Sequence, residues 1–134
     1  MLLIRGTQTD PDGESLTSEN RQKAFLSSTE KGYELYYDQS EDGEAVRCRL
    51  ILEQDRLVIR RAPGLDSGGL VMLAGTEQSC EYVTAYGTLP VRTRTASVRL
   101  HSGQRKIHAK ADYELCMGDY VISASVFIVI ELPE

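Results

Sequence analysis

Apolar and polar residues alternate along most of this chain, and the alternation predicts strands. In "EAVRCRLILEQ", Val46, Cys48, Leu50 and Leu52 take one face while Arg47, Arg49 and Glu53 take the other. In "KIHAKADYELCM", Ile107, Ala109, Ala111, Tyr113, Leu115 and Met117 alternate with Lys106, His108, Lys110, Asp112 and Glu114. "YVISASVFIVIEL" sets Ile122, Ala124, Val126, Ile128, Ile130 and Leu132 against Ser123, Ser125, Phe127 and Val129. Shorter runs, "LLIRGTQT", "RQKAFLSSTE", "YELYYDQ", "RLVIRRA", "LVMLAG" and "CEYVTAYG", read the same way. The breaks between runs carry turn chemistry: "DPDGE", "SEDGE", "SGQR" and the Gly118-Asp119 pair, with "PGLDSGG" as a longer loop. "TSENRQKAFL" comes nearest to a helix, with Thr17 or Ser18 as cap, but no segment has sustained helical periodicity. Roughly eight to ten short strands joined by tight turns predict an all-β, antiparallel meander. Closing it into a single barrel would remove the exposed edges.

"GTLPVRTRTASVRL" interrupts this regularity. Leu89, Val91, Thr93 and Thr95 share one parity, whereas Val98 and Leu100 share the other. A strand has period two, so both sets face inward only if one extra residue is absorbed near Ala96 and Ser97. A β-bulge is therefore expected there. A two-residue turn at Gly103-Gln104 would pair Leu100 with Ile107, Arg99 with His108 and His101 with Lys106.

Composition narrows the class. A chain of 134 residues, 41% hydrophobic and 26% charged, fits one soluble domain over residues 1–134. The net charge of −5 disfavours general nucleic-acid binding. No window is long and apolar enough to cross a bilayer as a helix, and "MLLIRGTQTD" lacks the parts of a secretory signal. Cys48, Cys80 and Cys116 are odd in number, far apart and without a CxxC pair. They predict reduced thiols in a cytoplasmic protein rather than a disulfide framework or zinc site, with Cys48 and Cys80 packing inward.

Four stretches carry a family resemblance: "IRGTQTDPDGE", "GYELYYDQSE", "AYGTLPVRTRT" and "YELCMGDYVISASVFIVIEL". They resemble the bacterial YwiB-like family, a small domain of unknown function, over nearly the whole chain. The most specific pieces are Gly6 to Asp10 and the Tyr86-Gly87 turn. The resemblance implies a calycin-like (lipocalin-like) barrel and no particular reaction, so no catalytic residue and no cofactor is carried over. Small-molecule binding inside such barrels is a fold-level analogy only.

Two groups of side chains are candidates for function. By parity, Tyr33, Tyr37, Tyr82, Tyr86, Thr93, Thr95 and Tyr113 point into the barrel. Apolar rings with a few hydroxyls would suit a small hydrophobic or amphipathic ligand. Equally, the tyrosines could fill the interior and bond one another, the threonines or the backbone. The alternative function is an interaction protein using an outer basic face of Arg92, Arg94, Arg99, His101, Lys106, His108 and Lys110 toward an anion, RNA or a protein. Against RNA, no aromatic residue interleaves with these cations in the sequence-based arrangement, and no carboxylate is evident beside the histidines. That leaves the histidines without the orienting partner that catalysis needs. Metal binding is not expected: the acids of "DQSEDGE" read as a soluble hairpin tip, and "GLDSGG" reads as a loop. Oligomeric state is open. The outward Val58 and "LVMLAG" would cover a dimer contact or lie under a loop.

Overall fold

The structure, a computed structural model, describes residues 1–41, 43–62, 64–65, 69–84 and 87–132. Among these there are eleven strands: β1 (Leu2–Thr9), β2 (Ser15–Gln22), β3 (Phe25–Ser28), β4 (Gly32–Glu41), β5 (Glu44–Glu53), β6 (Arg56–Arg61), β7 (Leu70–Leu73), β8 (Glu77–Thr84), β9 (Gly87–Ser102), β10 (Lys106–Met117) and β11 (Tyr120–Glu131). Every pairing is antiparallel. No helix among the described residues is long and apolar enough to cross a membrane.

The strands form two sheets, ordered β2-β1-β11-β10-β9-β8 and β3-β4-β5-β6-β7. The order is that of a meander whose first and last strands meet. The single closed barrel expected from the alternation is corrected, however, because the ladder is interrupted between β2 and β3 and between β7 and β8. At the first seam Lys23 and Ala24 separate the strands. At the second, the Ala74–Thr76 turn is tied to other strands: Ala74 N–H to the Asp55 carbonyl and Gly75 N–H to the Thr95 carbonyl, both at 2.8 Å. The two sheets share one core, with Leu35, Leu50, Leu52, Leu57 and Met72 of one meeting Leu2, Ile107, Val126 and Ile128 of the other. Side chains of this size contribute about 1.5–3 kcal/mol each when fully buried.

Strand β2 departs most from the sequence reading, which drew its second strand as "RQKAFLSSTE". That tract is instead split into the end of β2 and all of β3, and the nearest-to-helical stretch is extended chain. Nearly all of β2 is exposed, so no hydrophobic alternation marks it. Polar pairs across β1 stabilise it: Arg5 with Glu19 at 3.1 Å, and the hydroxyls of Thr9 and Ser15 at 2.8 Å. The Asp10 carboxylate sets the turn by accepting the N–H groups of Asp12 and Glu14.

The bulge lies where the face switch requires it. Ser97 pairs with Asp112 and Thr95 with Tyr113, leaving Ala96 as the extra residue on β9. Val91, Thr93 and Thr95 before it, and Val98 after it, are all buried. Leu89 lies on the inner parity but is 45% exposed, because that end of the strand runs past the core. The turn register is corrected. Ser102 pairs with Ile107, His101 with His108, Ala109 with Leu100 and Lys110 with Arg99. The two-residue turn is Gln104-Arg105, one position later than expected, closed by the Gly103 N–H on the Lys106 carbonyl. The register shift is two residues, so every side chain keeps its expected face.

Glu41 pairs with Glu44, the spacing expected of a two-residue hairpin; Asp42, read as part of its turn, lies outside the described residues. Gly43 and Gly118 adopt positive φ in their turns. Gly32 is fixed for a different reason, since a β-carbon there would strike the Leu52 carbonyl oxygen. Val58 is fully buried within the chain. The Leu65 carbonyl accepts from Arg49 at 3.1 Å, which holds Leu65 against that outer face.

Candidate functional site

The tyrosines of opposite sheets converge at one end of the shared core. On β4 Tyr37 faces inward; its neighbour in register is Cys48 of β5, and the next is Arg61 of β6. From the other sheet come Tyr82 on β8 and Tyr113 on β10, the latter opposite Thr95. Tyr82 lies close enough to act electrostatically on both Tyr37 and Tyr113.

Burial sets the chemistry of these phenols. Removal from water holds Tyr37 well above the ordinary tyrosine range, reinforced by the Cys48 thiol, both through charge and through a hydrogen bond, and by Tyr82. Tyr113 is pushed up to about 12, by burial first and by Tyr82 second. Both groups are therefore neutral hydroxyls at any physiological pH. They can donate and accept hydrogen bonds, but they are not phenolate nucleophiles.

The threonines divide. Thr93 is fully buried and its hydroxyl donates to the Val71 carbonyl at 2.6 Å, which ties β9 to β7. Thr95 is also buried, yet its hydroxyl oxygen has no hydrogen-bond partner. Such a group costs stability until something pairs with it. Thr95 and Tyr113 also belong to the lining of an open cleft of ≈ 610 Å³ beside the bulge, with Gly75, Arg94 and Ala124.

Arg61 is the residue that the inward set lacked. It is buried and on the inner parity of β6. The signal was present in "RLVIRRA", where Leu57, Ile59 and Arg61 share one parity; an arginine was not read as an inward residue. Among the described residues, the buried polar and charged side chains are Arg61, Thr93 and Thr95, none of them a carboxylate or imidazole.

Tyr33 is on the same face but not in the cluster. It sits four positions before Tyr37, about 13 Å along the strand. There its hydroxyl bonds the Ser102 hydroxyl. With Gln54, which bonds the backbone of Leu100, it forms a latch between the sheets. Tyr86 lies outside the described residues. The three cysteines are free and buried. Cys80 accepts from the Val71 N–H at 3.4 Å, whereas Cys116 is buried on the outer parity of β10.

The outer basic face is less uniformly cationic than its sequence indicates. Arg92 meets Glu77 at 2.8 Å and Arg94 meets Glu114 at 3.1 Å. Lys110 approaches Asp112 at 3.9 Å. Carboxylates thus interleave with the cations. An aromatic ring does too: Phe127 of β11 lies 5.9 Å from His108, whose ring is 6.5 Å from His101. No cluster of three or more potential metal ligands occurs among the described residues.

Residues 3–127 match the family described as a domain of unknown function (DUF1934). The chain belongs to that family. Among solved structures, the DUF1934 fold seen here is shared by the crystal structure of the YwiB protein from Bacillus subtilis. The two superpose with a TM-score of 0.78 over 99% of this chain and 90% of that one, at 18% identity. That likeness concerns the fold and agrees with the resemblance read from the sequence. No curated protein matches the chain.

Proposed function

We propose that this DUF1934 domain is a binding module, not an enzyme, and that it holds a small amphipathic molecule at the tyrosine end of its interior. The observation that carries the reading is the buried, unpartnered Thr95 hydroxyl next to Tyr113. Buried hydroxyls normally have partners. A ligand's polar group placed there would supply one, flanked by the neutral phenols of Tyr37 and Tyr113 and by the Tyr82 ring. The partly buried Leu115 and Met117 offer apolar surface on the same face of β10.

A calycin-like arrangement, with the barrel interrupted at the two seams, is part of this proposal. It is supported by the strand order, which follows the chain from β1 to β11 and returns to β1. A cytoplasmic setting is part of it too, supported by three free thiols.

The test is native mass spectrometry of the full chain with medium-chain fatty acids and their alcohols, on the wild type and on Tyr113→Phe and Thr95→Val. The expected result is a one-to-one complex that both substitutions weaken. Equal binding by all three proteins, or no complex with any member of the set, would refute the site.

A further inference from the structure

The observed register places two cations directly opposite each other on the outer face, Arg99 and Lys110, and in the next row His101 faces His108. Like-charged neighbours across a ladder are destabilising. Arg99 forms no ion pair among the described residues, and Lys110 reaches only Asp112, at 3.9 Å. Arg5, in the same row as Lys110, is held by Glu19 at 3.1 Å. Arg99 and Lys110, side by side in a chain of net charge −5, offer positive charge to an anionic partner.

Phe127 sits between Arg5 and Lys110 in register, with the His108 ring at 5.9 Å and the His101 ring beyond it. Three rings therefore run across three adjacent strands, beside cations whose same-face spacing along a strand is about 6.7 Å. This is the interior of a sheet face, so its backbone groups are already paired within the sheet. An extended acidic peptide adds best to a free edge. A single-stranded nucleic acid, by contrast, carries phosphates for the cations and bases with π-faces for the rings.

From this we infer that the outer face of β9, β10 and β11 binds single-stranded RNA, with Arg99 and Lys110 on phosphates and Phe127 and His108 under bases. The sequence reading disfavoured RNA because it found no aromatic residue among the cations; the register of β10 with β11 supplies one. The site is independent of the interior ligand and stands or falls without it.

The experiment is fluorescence anisotropy of a labelled 12-nucleotide oligouridine with the full chain. With two phosphates neutralised, by Arg99 and Lys110, affinity should fall about sevenfold between 50 and 200 mM salt. The double substitution Arg99→Glu, Lys110→Glu should weaken binding by at least about tenfold, and Phe127→Leu by about fivefold or more. Circular dichroism melts check that each variant is folded. If Phe127→Leu does not fold, the exposed double substitution alone decides. Unchanged affinity in the double variant overturns the inference. So does equal binding of a duplex of the same length, which removes the stacking. Displacement of the RNA by polyglutamate at matched charge overturns it in favour of an acidic protein partner.

Discussion

The two ends of the interior share strands β4 and β10 and do opposite things. At one end, the rows through Leu35 and Leu52 meet Leu2, Ile107 and Ile128, and each of these side chains is at most 1% exposed. Among the described residues, the polar groups at its margin are the Tyr33 and Gln54 latch. At the other end, Tyr37, Tyr82, Tyr113, Thr95 and Arg61 occupy inward positions that leucine or valine could fill. The aliphatic end follows the rule that cores are apolar and close-packed. The tyrosine end departs from it, leaving one hydroxyl without a partner. Departures of this kind mark places where a fold has been shaped by something other than its own stability.

The contrast can be broken most forcefully at Leu50, which is 1% exposed. Leu50→Ala should cost about 2–5 kcal/mol in chemical denaturation. A cost below about 1 kcal/mol would mean that the aliphatic end is not the stabilising one. High pH probes the other end. An unfolded tyrosine ionises near 10, whereas Tyr113 in the folded chain resists ionisation up to about 12. Between these values the native state binds more protons than the unfolded state, so stability falls as pH rises. At pH 11 the loss from Tyr113 should be on the order of 1 kcal/mol relative to pH 8, and Tyr113→Phe should abolish that share of the slope. Identical pH profiles for the two proteins would show that Tyr113 is not buried as described.

Smaller effects separate the two threonines. Thr93→Val removes the bond to the Val71 carbonyl and should cost about 1 kcal/mol. Thr95→Val removes a hydroxyl that has no partner and should be neutral or stabilising by up to about 1 kcal/mol in the ligand-free protein. Thermal melts of the pair check this. A clear destabilisation by Thr95→Val would mean that the hydroxyl is already satisfied and would remove the main support for a ligand.

Parity carried most of the sequence reading because it depends only on adjacent residues. It gave the inward faces of β5, β10 and β11, and the switch at Ala96 marked the bulge. Depth along a strand is a different matter. Tyr33 and Tyr37 share a face, yet one closes the aliphatic end and the other joins the cluster, and only the packing of the second sheet decides which. Register failed by two residues at Gly103 because the position of a two-residue turn is not written in alternation. The same limit hid the approach of Phe127 to His108. Strand β2 was missed because polar cross-strand pairs, not hydrophobic ones, hold it. Closure was overestimated because whether neighbouring edges bond depends on the Lys23-Ala24 and Gly75-Thr76 corners, whose geometry is tertiary.

The division of the interior is tested most directly by proton–carbon NMR spectra of the chain labelled on its tyrosine rings, titrated with decanoate. Saturable shifts in Tyr37, Tyr82 and Tyr113, with Tyr33 and Tyr36 unmoved, are predicted. Shifts spread over all the tyrosines, or confined to Tyr33, would contradict a ligand site at the tyrosine end.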